Sequence, residues 1–203
     1  MNLFRKFIGY VTSAKTEEEQ NHNKNQSKFM PEEELPTDES FMIKFKENGG
    51  KFLYCTDEKE MKETFGLILK ENNWHEEEVI CFDQELQNKL IHFNLNFTDQ
   101  KEATFFISGC EYLIGNTGAL LISSNQIKEK KLADLPNNFI IIARTSQLIN
   151  SIGEGLSGIK NKSKNRIPTN ITTIKTFGED QENDFLNYGS TSKNLYLLLV
   201  EDL

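Results

Sequence analysis

The chain has 203 residues, a formal net charge of −8 and 37% hydrophobic residues. This length suits one domain with a complete core. The acidic balance argues against nucleic-acid binding, which requires a basic surface that releases counterions, and no apolar run is long enough to predict a membrane span.

The N-terminal part differs in composition from the rest of the chain. Residues 1–15 place Leu3 and Phe7 on one helical face, which predicts a short N-terminal helix that docks on the domain; a loose surface anchor is the alternative. Residues 16–40 carry eight acidic side chains and two lysines, and such a composition buries too little surface to offset the entropy lost on ordering. We therefore predict an acidic flexible linker over 16–40 and an α/β domain over 41–203.

Alternating strands and helices open this domain. Residues 52–55 predict a short strand, and Asp57 can cap the following helix, with Glu60 completing a capping box. Residues 79–82 predict a second strand, and Asp83 can cap a second helix. This order is typical of a parallel sheet covered by helices.

The remaining predicted elements are mostly strands. The strict alternation over 91–97 predicts a strand, and two apolar runs around a glycine-bounded turn predict a hairpin over 112–123. A helix is expected to begin at Thr145 or Ser146. Further strands are predicted at 103–107, 139–143, 171–174 and 195–200. The predicted fold is a three-layer α/β architecture in which a mixed, mostly parallel sheet is flanked by helices.

The continuous segment 107–124 reads Ile-Ser-Gly-Cys-Glu-Tyr-Leu-Ile-Gly-Asn-Thr-Gly-Ala-Leu-Leu-Ile-Ser-Ser. This run resembles the central signature of the lactate-utilisation (LUD) domain family. Glu111 matches the acidic residue of the family, and Thr117 with Gly118 matches its Thr-Gly pair. Two later segments that are similar to the family are 136–148 and 166–174.

The resemblance implies a fold similar to that of sugar-phosphate isomerases and coenzyme A transferases. It also implies a role in the oxidation of L-lactate to pyruvate, beside partner proteins that carry iron–sulfur clusters. The late Gly-Pro-Ser-Arg-Thr-Ala-Asp-Ile segment and the Gly-x-His-Gly-Pro loop of the family are absent, and 177–184 and 188–194 stand in their place. Asn116 replaces the glutamate of the signature. Because arginine and glycine suit an anion site, we expect an accessory protein with little activity alone.

The turn formed by Gly115, Asn116, Thr117 and Gly118 is the first candidate for ligand binding. Its glycines let backbone N–H groups approach a small carboxylate or other small anion, and its middle residues add polar side chains. Glu111 is the candidate general base. Together they predict the alternative function, a transferase- or isomerase-like enzyme that acts on a small anionic substrate. The same residues also suit an ordinary hairpin turn and a solvated or capping carboxylate.

Other motifs give weaker signals. Cys55, Cys81 and Cys110 are isolated, which predicts reduced thiols in a cytoplasmic protein and no iron–sulfur cluster on this chain, because a cluster needs closely grouped thiolates. Cys110 is either a nucleophile or a buried structural thiol. Residues 153–158 match G-x-G-x-x-G but lie too far after a strand for a dinucleotide site, so we predict close helix packing there. The scattered histidines predict no metal site and no cofactor is expected.

Overall fold

The computed structural model describes residues 35–163, 166–178 and 193–202, and all of these except Leu35 belong to the unit Pro36–Leu203. The helices are α1 Thr37–Glu47, α2 Glu58–Asn72, α3 Gln84–Lys89, α4 Ser124–Ile127 and α5 Ile152–Lys162. The strands are β1 Lys51–Cys55, β2 Glu78–Ile80, β3 Asn96–Phe97, β4 Phe105–Ser108, β5 Tyr112–Ile114, β6 Ala119–Ile122, β7 Asn138–Arg144, β8 Leu148–Ile149, β9 Thr172–Ile174 and β10 Asn194–Val200. Within this part of the chain, no helix has both the length and the apolar character that crossing a bilayer requires.

The central sheet has six strands in the order β1-β10-β7-β4-β2-β3, and every neighbouring pair is parallel. Strands β2, β4, β7 and β10 are its interior members, and most residues of β4, β7 and β10 are buried. This burial explains why their sequences are apolar without alternation. The predicted α/β fold class, with a mostly parallel sheet flanked by helices, is confirmed.

Helix α2 covers one face of the central sheet. Asp57 accepts a hydrogen bond from the Glu60 N–H (2.8 Å), as predicted, while the Glu60 carboxylate reaches back to the N–H of Thr56 (2.7 Å). Trp74 follows the helix and stacks on Phe105 of β4, with ring centroids 4.9 Å apart. The apolar face of α2, which packs in the same core cluster, consists of Met61, Phe65, Ile68 and Leu69.

The hairpin β5–β6 belongs to a second sheet, and this differs from the prediction of one mixed sheet. The second sheet has the order β8-β5-β6-β9, with β5 and β6 antiparallel. The physical reason is that β4, which precedes the hairpin, already has both edges paired, to β2 and to β7. The hairpin must therefore find its partners in β8 and β9, which pair with its outer edges.

Helix α1 lies partly in the segment that was predicted as linker. It begins at Thr37, whereas the sequence predicts a folded chain only from 41 onward. Three of its side chains, Phe41, Met42 and Phe45, are buried. This apolar contact stabilises the helix, including its first turn at 37–40. The predicted helix over 1–15 and the rest of the predicted linker lie outside the described residues.

Two other predictions differ from the structure. The segment 91–97 is a short 3₁₀ helix followed by the two-residue strand β3, because Asn94 adopts a left-handed conformation (φ 50°) that interrupts any strand. The helix expected from Thr145 or Ser146 begins only at Ile152, where Ser151 accepts a hydrogen bond from the Glu154 N–H. The apolar residues between, in β8, pair with β5 instead.

Candidate functional site

The turn 115–118 uses its backbone donors within the protein. Its first two N–H groups donate to the carbonyls of Ile149 and Asn150 (2.8 and 3.0 Å). Its last two donate to the carbonyl of Ile114 (3.3 and 2.9 Å). An anion that approached this turn would find each of its four N–H groups already bonded to the chain.

Helix α1 binds the opposite side of the same turn. Ser40 Oγ, Lys44 Nζ and Asn48 Nδ2 donate to the carbonyls of Gly115, Asn116 and Thr117, at 3.0, 2.9 and 2.8 Å. These bonds run between segments that are distant in sequence, so they fix the hairpin against the helix. The turn 115–118 therefore serves to pack the hairpin against α1.

The two glycines of the turn are required by this contact. A Cβ at Gly118 would lie 2.5 Å from the carbonyl carbon of Lys44, and its φ of +65° also disfavours any other residue. A Cβ at Gly115 would lie 2.7 Å from Thr37 Cγ2. The hydroxyl of Thr117 is buried and has no hydrogen-bond partner among the described residues.

Glu111 lies at the other end of β5. Its carboxylate accepts hydrogen bonds from Ser123 Oγ (2.6 Å) and Asn125 Nδ2 (2.8 Å), and its N–H donates to Leu121 (2.8 Å). An extended strand advances about 3.3 Å per residue, so roughly 13 Å separate Glu111 from Gly115. The structure therefore does not bring the candidate base and the candidate turn into one pocket; Glu111 instead ties the start of β5 to the end of β6.

A cleft of about 210 Å³ lies at the carboxyl edge of the central sheet. Open α/β sheets commonly bind ligands at this edge, because the loops that leave parallel strands converge there. The polar side chains that line the cleft are Glu58, Asp83, Glu85, Lys89, Arg144 and Gln147. They come from the segments that follow β1, β2 and β7.

Glu58 holds the two cations of the cleft. Its Oε1 accepts hydrogen bonds from Lys89 Nζ (2.8 Å) and from Arg144 Nη2 (3.0 Å). The bond from Lys89 is the main cause that lowers the pKa of Glu58 below its ordinary value; desolvation opposes it and Arg144 adds to it. The three side chains are between 38% and 47% exposed, so each pair contributes only about 0–1 kcal/mol to stability.

The segment that follows Arg144 binds a second carboxylate of the chain. Asp202 accepts hydrogen bonds from Thr145 Oγ1 (2.8 Å), from the Ser146 N–H (2.9 Å) and from Ser146 Oγ (2.7 Å). Desolvation raises the pKa of Asp202, but the bonds from Ser146 and Thr145, with the charge of Arg144, lower it overall. Gln147 Nε2 donates to the carbonyl of Cys110 (2.6 Å), which connects this segment to the β4–β5 connection.

The three thiols are buried and free. Burial raises the pKa of Cys55 and of Cys81 to about 11, and it raises that of Cys110 further. A thiol that stays protonated is a poor nucleophile, so these values favour the structural role for Cys110. Among the described residues, no group of three or more His, Cys, Asp or Glu side chains is arranged to hold a metal ion.

The G-x-G-x-x-G run lies inside α5, as predicted. A Cβ at Gly155 would lie 2.8 Å from Leu121 Cδ2, and one at Gly158 would lie 2.8 Å from the Tyr112 ring. The glycines therefore allow α5 to approach the hairpin closely, which is the packing role expected for them.

Sequence reasoning did not single out Glu58, Lys89 or Arg144. They are far apart along the chain, and each belongs to a common residue type in an exposed position. The available signal was positional: Glu58 follows β1 and Arg144 ends β7, and the carboxyl ends of parallel strands meet at one edge.

Comparisons with known proteins agree with this architecture. The sequence profile of the LUD domain family matches residues 39–200. The crystal structure of a DUF162 family protein from Deinococcus radiodurans, at 1.70 Å resolution, is similar to this chain with a TM-score of 0.59 and 13% identity, over 83% of this chain and 100% of that one. A search of curated proteins returned no match. The matched residues include both sheets, and the chain therefore belongs to the LUD domain family.

Proposed function

We propose that the chain is an accessory protein of L-lactate utilisation, which binds a small carboxylate and supports iron–sulfur partner proteins that oxidise lactate to pyruvate. Membership of the LUD domain family supports the link to lactate. The observation that carries the accessory role is the bonding of the turn 115–118. Its carbonyls accept hydrogen bonds from α1 and from Asn48, and its N–H groups donate to Ile114, Ile149 and Asn150. The alternative enzyme needs that turn and Glu111 in one pocket, and they lie at opposite ends of β5.

Lactate oxidation by the purified chain tests this proposal. With L-lactate and an artificial electron acceptor, we expect no turnover above a blank without protein. With the iron–sulfur proteins encoded in the same organism, we expect that adding the chain increases pyruvate formation. Robust turnover by the chain alone would contradict the accessory role, and an unchanged rate in the reconstituted system would contradict the link to lactate.

A variant of the turn tests the alternative enzyme in the same assays. Asn116 is exposed and its side chain makes no hydrogen bond among the described residues, so Asn116→Ala should leave the fold intact. Under the accessory proposal, N116A performs as well as the original chain. A large loss of pyruvate formation with an unchanged melting temperature would instead favour ligand chemistry at the turn.

A further inference from the structure

We infer that the cleft at the carboxyl edge of the central sheet is a binding site for a small monocarboxylate, which is held by Arg144 and Lys89 in the position that the Glu58 carboxylate now occupies. This inference deepens the carboxylate part of the proposed function and rests on it only for the choice of L-lactate as the first probe.

The first support is the convergence of two cations on one carboxylate oxygen. Arg144 ends β7, Lys89 ends α3 and Glu58 begins α2. The ion pairs therefore join three separate elements, unlike the neighbouring pair Lys59–Glu63, whose residues are one turn apart on α2. The fold thus presents both cations at one point of a cleft, where the carboxylate of Glu58 now binds and where a small anion fits.

The second support is that Glu58 satisfies Arg144 only in part. The guanidinium donates through Nη2 alone, to the same oxygen that Lys89 uses. Its other N–H groups have no protein partner within the described part of the chain. An arginine can bind a carboxylate through two parallel hydrogen bonds, so a free ligand can make a contact that Glu58 does not make.

Size and charge select the ligand class. The cleft measures about 210 Å³, below the range of pockets that hold drug-sized ligands, so a compact metabolite fits better than a nucleotide. Asp83 and Glu85 add two further negative charges to the lining. They disfavour a dianion such as phosphate more than a monocarboxylate.

Titration calorimetry on the full chain tests the site with L-lactate, pyruvate, acetate and inorganic phosphate. Replacing Glu58 with Gln removes the internal competitor, so E58Q should bind a monocarboxylate about three- to tenfold more tightly. Replacing Arg144 or Lys89 with Gln should weaken binding about tenfold or more. E63Q and R166Q make the same charge changes at exposed positions outside the cleft and should bind like the original chain.

The outcomes distinguish the monocarboxylate site in the cleft from the proposed function in lactate utilisation. Binding of acetate or pyruvate with this variant pattern upholds the site, and it counts against the proposed function if L-lactate does not bind. Binding of phosphate alone overturns the monocarboxylate class. The site is also overturned if no carboxylate binds even E58Q, or if K89Q and R144Q bind as well as the original chain. K89Q keeps the test decisive if R144Q does not fold, since Lys89 is partly exposed at a helix end.

Discussion

At Gly118 the hairpin packs closely against the backbone of α1. We predict that Gly118→Ala lowers the free energy of unfolding by about 2–4 kcal/mol, because an alanine has to adopt a positive φ and its Cβ overlaps the backbone of α1. Urea unfolding followed by circular dichroism measures the change. Gly153→Ala is the matched control: its Cβ would meet only Ser151 Oγ at 3.9 Å, and the residue lies in the first turn of α5, so the free energy of unfolding should change by less than about 1 kcal/mol.

Asp202 makes the stability of the fold depend on pH in the acidic range. Its pKa is lower in the folded chain than its ordinary value of 3.8, so its stabilising effect is complete above that value and is lost as the pH falls through the lower, folded pKa. Asp202→Asn should therefore reduce stability slightly at neutral pH, by less than about 1 kcal/mol for so exposed a group. The difference from the original chain should shrink as the pH falls below 3.8.

Asp99→Asn serves as the control for this pH series. Asp99 is exposed and its side chain makes no hydrogen bond within the described part of the chain, so D99N should follow the original chain at each pH. A D202N penalty that persists unchanged at the lowest pH would show that the carboxylate charge is not responsible.

At the residue scale, the sequence could identify the caps and the glycines but not the charged cleft. Asp57 and Asp83 act locally, through backbone N–H groups two or three positions away, so their roles follow from local patterns. The turn glycines are visible as a turn signal, but the contact with α1 that requires them comes from a distant part of the chain. Arg144 and Lys89 come close together only in the folded chain, where β7 and α3 end at the same edge of the sheet. No local pattern contains that information.

At the element scale, α1 stabilises the domain through one aromatic face. Phe45 is fully buried and its ring lies 4.7 Å from that of Phe177 and 5.4 Å from that of Phe41. We predict that Phe45→Ala lowers the free energy of unfolding by about 3–5 kcal/mol. Leu67→Ala, at a position 65% exposed on α2, should change it by less than about 1 kcal/mol.

The elements themselves were predictable to different degrees. The central parts of β4, β7 and β10 are continuous apolar runs because they are largely buried, so their sequences identify them. The segments around β3 and β8 were misassigned because two-residue strands have no periodicity of their own. Their conformation is set by β2 and by β5, with which they pair.

At the scale of the whole molecule, the three thiols report on the intact fold. Burial keeps Cys55, Cys81 and Cys110 protonated, so we predict that a thiol reagent at pH 8 modifies the native chain slowly and the urea-unfolded chain quickly. Rapid modification of one thiol under native conditions would contradict the structural role.

The same thiols predict a loss of stability in alkali. The pKa of Cys55 and that of Cys81 are raised from 9.0 to about 11. Because the folded chain holds the proton more tightly, their contribution is complete below pH 9.0 and decreases as the pH rises through about 11. Melting temperatures measured across this range test the expectation, with Cys55→Ala and Cys81→Ala variants showing a weaker decline.

The position of β10 has a consequence for synthesis of the protein. This strand inserts between β1 and β7, so that Leu197 faces Phe52 on one side and Ile141 on the other. Until residues 194–200 leave the ribosome, two apolar strand edges on the nascent chain remain unpaired and open to other chains. A premature stop before Asn194 should therefore yield insoluble product rather than a smaller folded protein, because the edges of β1 and β7 that β10 covers would stay unpaired.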